Sequence, residues 1–192
     1  MSEPGLADKV VRIDEGLAHA QIPHAFGGAI ALAYYGEPRT TIDIDVNIFV
    51  SVDRFEKLKR ELSEIGVDRF PAGATIRRDG QGRAFWGSTP VDLFFSYDPI
   101  HEAMRRDARE VPFGDRSIPI LSVEHLIVSK AVHDRPKDWI DLEQVLTANP
   151  GLDLNEVNRW LARIVGRSNA RYARFRGLVQ RLLGREIGPD QS

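Results

Sequence analysis

Hydrophobic and polar positions alternate strictly over residues 41–50. Ile42, Ile44, Val46, Ile48 and Val50 fall on one side, and Asp43, Asp45, Asn47 and Phe49 on the other. A period of two predicts a β-strand, on which residues two apart share a face at about 6–7 Å. Asp43 and Asp45 are therefore expected side by side. Residues 91–95 form a second apolar strand carrying one charge, Asp92. Other stretches have a helical period. Val10, Ile13 and Leu17 stripe a helix over 7–20, which Pro23 ends. Ser51 and Asp53 are cap residues for a helix over 54–65, closed at Gly66. Ala25-Phe26 reads as a short strand entering Gly27-Gly28, with a helix over 29–35 behind it. Residues 75–78 and 83–86 flank Asp79-Gly80-Gln81-Gly82 and read as a hairpin. Residues 101–110 read as a helix. Residues 111–113 and 117–120 each contain proline and read as edge strands. From Ser122 the pattern is helical throughout, over about 122–134, 136–148, 153–166 and 168–184. The fold class is α+β: a small mixed β-sheet with flanking helices, then a C-terminal helical region. The division falls at 1–120 and 121–192, as a change of element type rather than a linker.

Two adjacent carboxylates repel unless they are protonated or held by a cation. A lone carboxylate inside an apolar strand costs several kcal/mol unless it is paired or metal-bound. If the Asp92 strand lies beside the Asp43/Asp45 strand, three acids converge. Oxygen ligands of this kind suit Mg²⁺. The competing reading is a solvated strand face, with Asp92 paired to a nearby arginine. Gly27-Gly28 opening a helix suits phosphate, since backbone N–H groups can approach closely there. Arg39-Thr40-Thr41 lies just ahead of the acidic strand, within reach of phosphate or of a neighbouring acid.

In the helical region, Lys130 falls between Leu126 and Ile127 in the middle of an apolar stripe, where lysine is rare. An ammonium there could reach a triphosphate, snorkel along apolar surface, or pair with Asp134 one turn on. Pro136 suits the first turn of the next helix. Asp138 in that turn complements the helix dipole. Asp141 sits deeper on the apolar side and is placed to orient Lys130 or a bound nucleotide.

Composition narrows the classes. The chain has 192 residues and 42% hydrophobic content, enough for one well-buried core. It contains no cysteine, which excludes disulfides and thiolate metal sites and fits a reducing cytoplasm. The first residues carry acid and no apolar core, which reads against a signal peptide. No apolar run is long enough to span a bilayer. The five histidines show no zinc-binding spacing, and no nucleophile-elbow motif appears. Net charge is −2, yet the stretch from Arg159 to Arg185 holds eight arginines and no acid. Arg159, Arg163, Arg167 and Arg171 are spaced by four, with Trp160, Tyr172 and Phe175 interleaved. The stretch reads as a solvated basic face, with nucleic acid or an acidic partner as the alternative.

These residues together resemble a known family: Phe26-Gly27-Gly28, Glu37 to Val46 with its Asp-x-Asp, Val91-Asp92-Leu93, Ser129-Lys130-Ala131, and Arg135 to Leu142. Over residues 24 to about 146 the chain is similar to the DNA polymerase β-like nucleotidyltransferases. Within them it resembles the minimal nucleotidyltransferases of AbiE-type (AbiEii/AbiGii) abortive-infection toxins. The resemblance implies an NTP-dependent enzyme using two Mg²⁺ ions, with Mn²⁺ as a substitute. Asp43, Asp45 and Asp92 would be its catalytic and metal-binding residues, with Asp92 helping to deprotonate the acceptor hydroxyl. Gly27, Gly28, Arg39, Thr41, Lys130 and Asp141 would bind the nucleotide, ATP among the candidates. The acceptor would be RNA, tRNA included, or protein, and a cognate antitoxin would be the partner. The alternatives are an antibiotic-modifying nucleotidyltransferase and a non-catalytic RNA- or partner-binding module on the same fold.

Overall fold

A computed structural model describes residues 3–187. In chain order the elements are α1 (Leu6–His19), β1 (His24–Phe26), α2 (Gly28–Leu32), β2 (Ile44–Ile48), a 3-10 turn at Val52–Arg54, α3 (Phe55–Glu64) and α4 (Gly73–Asp79). Then come β3 (Gln81–Trp86), β4 (Thr89–Phe95), α5 (Pro99–Asp107), β5 (Arg109–Phe113) and β6 (Arg116–Ile120). The chain finishes with α6 (Val123–His133), α7 (Pro136–Ala148), α8 (Leu154–Val165) and α9 (Ala170–Leu183). They fall into two compact units. The first comprises described residues 3–30 and 40–121, the second 31–39 and 122–187. Among the described residues no helix is long and apolar enough to cross a membrane.

The first unit is built on a mixed sheet in the order β3-β4-β2-β1-β6-β5. β2–β4 and β1–β6 are parallel, and the remaining pairs are antiparallel. One sheet face is apolar. Ile44, Val91 and Ala84 lie in one cross-strand row and Val46 and Leu93 in the next, all fully buried. Helix α3 packs here through Phe55, whose ring meets Phe95 edge-on at 6.1 Å. Gly82 admits α4 to the same face, since a Cβ there would lie 2.3 Å from Ile76 Cδ1. Lys9 of α1 is 2% exposed and is satisfied by Glu3, the Trp86 carbonyl (3.0 Å) and Thr89 Oγ1 (2.9 Å). Burying an ammonium is tolerable only with such a complete set of partners.

Several local expectations change; among them, α5 ends at Asp107, and Arg109 and Glu110 open β5 instead of ending a helix. Strand β2 begins at Ile44, so Asp43 stands one residue ahead of it, and Ile42 is 73% exposed. Residues 75–78 are helical, within α4, and β3 makes its hairpin with β4 instead. Gly80 takes φ +65° and donates its N–H to Ile76 O as a helix cap. A left-handed glycine serves a helix C-terminus as well as a hairpin, so the local signal does not separate them. Finally, β6 is not an edge strand but lies between β1 and β5. Its Pro119 is accommodated because the β1–β6 ladder is confined to Phe26↔Ile120.

The second unit is helical, with buried Leu126, Leu142, Val145, Val157, Leu161, Phe175 and Val179 forming its core. Side chains start its helices: Ser122 caps α6, Asp153 caps α8 and Asn169 caps α9. Pro136 occupies the first turn of α7. Buried Asn158 accepts a hydrogen bond from the Tyr172 hydroxyl at 2.7 Å.

Candidate active site

On the sheet face opposite the apolar rows, strand register does the assembling. Asp45 of β2 pairs with Asp92 of β4, and Asp92 pairs with Arg83 of β3. Side chains directly across neighbouring strands share a face and lie about 5 Å apart at Cβ. The result is one row, Asp45–Asp92–Arg83. Both aspartates are half-buried and Arg83 is exposed. The Arg83 guanidinium grips Asp92 bidentately, Nε to Oδ1 and Nη2 to Oδ2, both 2.7 Å. That hydrogen bonding raises the arginine's pKa; burial opposes it, and attraction to Asp92, Asp43 and Asp45 adds to it. Asp92 thus both converges with Asp45 and pairs with an arginine.

Asp43 is held just ahead of β2. Thr41 Oγ1 donates to its carboxylate and to its carbonyl (3.3 Å). Thr41 therefore touches an acid of the cluster.

The glycines explain how Asp45 fits. The Gly27 N–H donates to Asp45 O at 2.9 Å. Gly28 has φ +51°, and a Cβ on it would lie 1.7 Å from Asp45 Oδ2. A Cβ on Gly27 would lie 2.9 Å from Asn47 Nδ2. Only residues without a side chain let this turn pass against the acidic strand. The Gly27 N–H is thus committed to the sheet.

A second charged cluster belongs wholly to the helical unit. Lys130 Nζ donates to Asp141 Oδ2 at 2.5 Å and lies 3.7 Å from Asp138 Oδ1. All three residues are buried. Arg39 contacts Asp141 through Nε (3.3 Å) and Nη2 (3.4 Å). Arg135 contacts Asp138 through Nε (2.7 Å) and Nη2 (3.1 Å). Burial pushes the Asp138 carboxyl up, but its hydrogen bonds from Arg135 and the attraction of Arg135 and Lys130 outweigh this, and the net direction is down. Of the partners open to Lys130 on sequence grounds, Asp141 is the one at hydrogen-bond distance. Asp134 instead caps α6 with φ 57° and accepts from Trp139 Nε1 at 2.7 Å.

The arginine-rich stretch does not form one continuous helical stripe. Helix α8 ends at Gly166, with φ +84°, and α9 begins at Ala170, which leaves Arg167 in the connection. Several of its charges meet acids: Arg159 meets Glu156, Arg174 meets Asp134 at 3.6 Å, and Arg181 meets Glu143. Tyr172 and Phe175 are core residues, 4% and 0% exposed.

Arg83 carries no local sequence signal. Its signal depends on pairing β3 with β4, and residues 75–86 read locally as a different hairpin. The Arg135–Asp138 grip was visible only as helix-dipole complementarity.

The acid cluster offers carboxylate oxygens alone, without sulfur or imidazole, which is the donor chemistry of Mg²⁺ or Mn²⁺. Among solved structures, the fold is similar to that of the antibiotic-resistance factor ANT(2″)-Ia in solution, with 19% identity, a TM-score of 0.61, and 84% of this chain and 91% of that chain covered. It is also similar to the lincosamide antibiotic adenylyltransferase LnuA bound to lincomycin, with 15% identity, a TM-score of 0.54, and 73% and 96% coverage. A third is an antigenic nucleotidyltransferase-like protein from Paracoccidioides brasiliensis, with 15% identity, a TM-score of 0.53, and 94% and 97% coverage. No curated protein sequence matches the chain. The family described as nucleotidyl transferase AbiEii toxin, type IV toxin–antitoxin system, matches residues 15–187. That match covers nearly the whole chain, which therefore belongs to the AbiEii toxin family and is a nucleotidyltransferase.

Proposed function

We propose that the protein moves a nucleoside monophosphate from an NTP to a hydroxyl of an RNA or protein acceptor. Divalent cations held by Asp43, Asp45 and Asp92 would assist the transfer. The observation that best supports this is the register Asp45↔Asp92, with Gly28 against Asp45. When bound, Mg²⁺ would stabilise the attacking and leaving oxygens of the phosphoryl transfer. A bond forms between the acceptor oxygen and the α-phosphorus. The bond from that phosphorus to the bridging oxygen breaks, and pyrophosphate leaves. Asp92 takes the hydroxyl proton in this reading. Thr41 positions Asp43, and Gly27 and Gly28 leave room for the phosphates. ATP is the first nucleotide to test. A cognate antitoxin is the expected partner.

The test supplies each labelled NTP with Mg²⁺ and, in separate reactions, total RNA, lysate protein, an aminoglycoside or a lincosamide, and compares wild type with Asp45→Asn. Label on RNA or protein that depends on Asp45 supports the reading. Label on an aminoglycoside or lincosamide alone would move the assignment to antibiotic modification. No transfer from any NTP to any acceptor would sink it. RNA binding that survives loss of Asp43 and Asp45, without transfer, would point to a non-catalytic module.

A further inference from the structure

Arg83 stands where the acid cluster meets the edge of the sheet. β3 is an outermost strand, and the Arg83 side chain is 52% exposed while that of Asp92 is 17% exposed. Both carboxylate oxygens of Asp92 are engaged by the guanidinium. Asp43 and Asp45 also attract it. A guanidinium is always charged and matches a carboxylate fork. It can therefore offset the repulsion among clustered acids when no other cation is there to do so. The same contact works against a divalent cation, which would share Asp92 with Arg83 and be repelled by it. Because Arg83 lies at a solvated edge, its side chain can leave Asp92 without opening the apolar core.

We infer that Arg83 is a resident counterion of the acid cluster: it holds Asp92 in place before a divalent cation binds and competes with that cation for it. Arg83 is thus a positioning residue that sets the concentration at which the site fills. The inference rests on the metal-binding reading of Asp43, Asp45 and Asp92.

The experiment uses the full chain, stripped with chelator and dialysed. Mn²⁺ binding is measured by calorimetry, and thermal unfolding with and without Mn²⁺, for wild type, Arg83→Gln, Arg83→Lys and Asp45→Asn. Removing a charge this close to a dication should tighten Mn²⁺ binding by about 10-fold in Arg83→Gln. Metal-free Arg83→Gln should melt below wild type and show the larger rise on adding Mn²⁺. Arg83→Lys, which keeps the charge but loses the fork, should fall between them, and it carries the comparison if Arg83→Gln does not fold. Equal or weaker Mn²⁺ binding by the Arg83 variants, with wild-type binding that Asp45→Asn abolishes, overturns the counterion role and leaves the metal site standing. No Mn²⁺ binding by any of the proteins overturns the metal site and the inference together.

Discussion

The two charged clusters use the same kinds of side chain for opposite ends. On the sheet, half-buried Asp45 and Asp92 face each other across β2 and β4, Asp43 stands one residue ahead of β2, and Arg83 reaches in from an exposed position and is attracted to all three. In the helical unit, Lys130, Asp138 and Asp141 are buried, with Arg39 and Arg135 closing the network from outside. The first cluster is rich in acid and open to water, so like charges oppose one another and a further cation is welcome. The second balances its charges out of water, where any member removed leaves another uncompensated. Neutralising one acid should therefore help stability in the first cluster and harm it in the second.

The largest effect belongs to the buried network. Lys130→Met should leave Asp138 and Asp141 facing each other without their ammonium and cost about 3–5 kcal/mol. Urea unfolding measures this, and a loss below about 1 kcal/mol would mean that the network is not a buried, balanced unit. Asp45→Asn should lower nucleotidyl transfer by about 10²–10³-fold, as expected when charge stabilisation in a transition state is removed. Its melting temperature in the absence of metal should equal or exceed that of wild type. A clear drop in stability would show that the sheet cluster, too, is structural.

Gly28→Ala tests the turn against Asp45. The left-handed backbone and the 1.7 Å approach together should cost about 1–3 kcal/mol. The substitution should also lower transfer by displacing Asp45. Wild-type stability and activity in this variant would remove the steric reason for the glycine.

Acid should act on both units, from different groups. His101 in α5 is buried, and burial lowers its pKa from 6.5. The unfolded chain then takes up this proton first. The His101 contribution is complete above about pH 6.5 and is lost as pH falls through the lowered value. Asp138, also lowered, contributes above the ordinary carboxylate range and loses that contribution only as pH falls through its folded value. Urea midpoints should therefore decline in two stages between pH 8 and pH 3, with His101→Gln flattening the upper stage and Asp138→Asn the lower. A flat profile in wild type would contradict both shifts. The smallest effect is expected at the surface pair Arg181–Glu143, where Arg181→Ala should change stability by less than about 1 kcal/mol.

Legibility followed the range of the interaction. Helices α6 to α9 were readable because their periodicity, caps and prolines are local, and the observed bounds differ from the expected ones by two residues or fewer. The alternation of β2 and the apolar run of β4 are also legible, as is the odd placement of Asp92 and of Lys130. The turn at Asp79 to Gly82 was misread because a helix cap and a hairpin ask for the same left-handed glycine. Arg83 was missed as a consequence, since nothing near it in the chain names its partner.

Sequence alone determined which residues are chemically out of place: carboxylates in apolar strands, a lysine in an apolar stripe, two adjacent glycines before a helix. Burial penalties make such residues conspicuous without any knowledge of the fold. Only the tertiary structure decided which of them meet. Strand order and register set Asp45, Asp92 and Arg83 in one row, and helix packing chose Asp141 over Asp134 for Lys130. Pairings of that kind depend on long-range burial of the opposite faces, which no local pattern encodes.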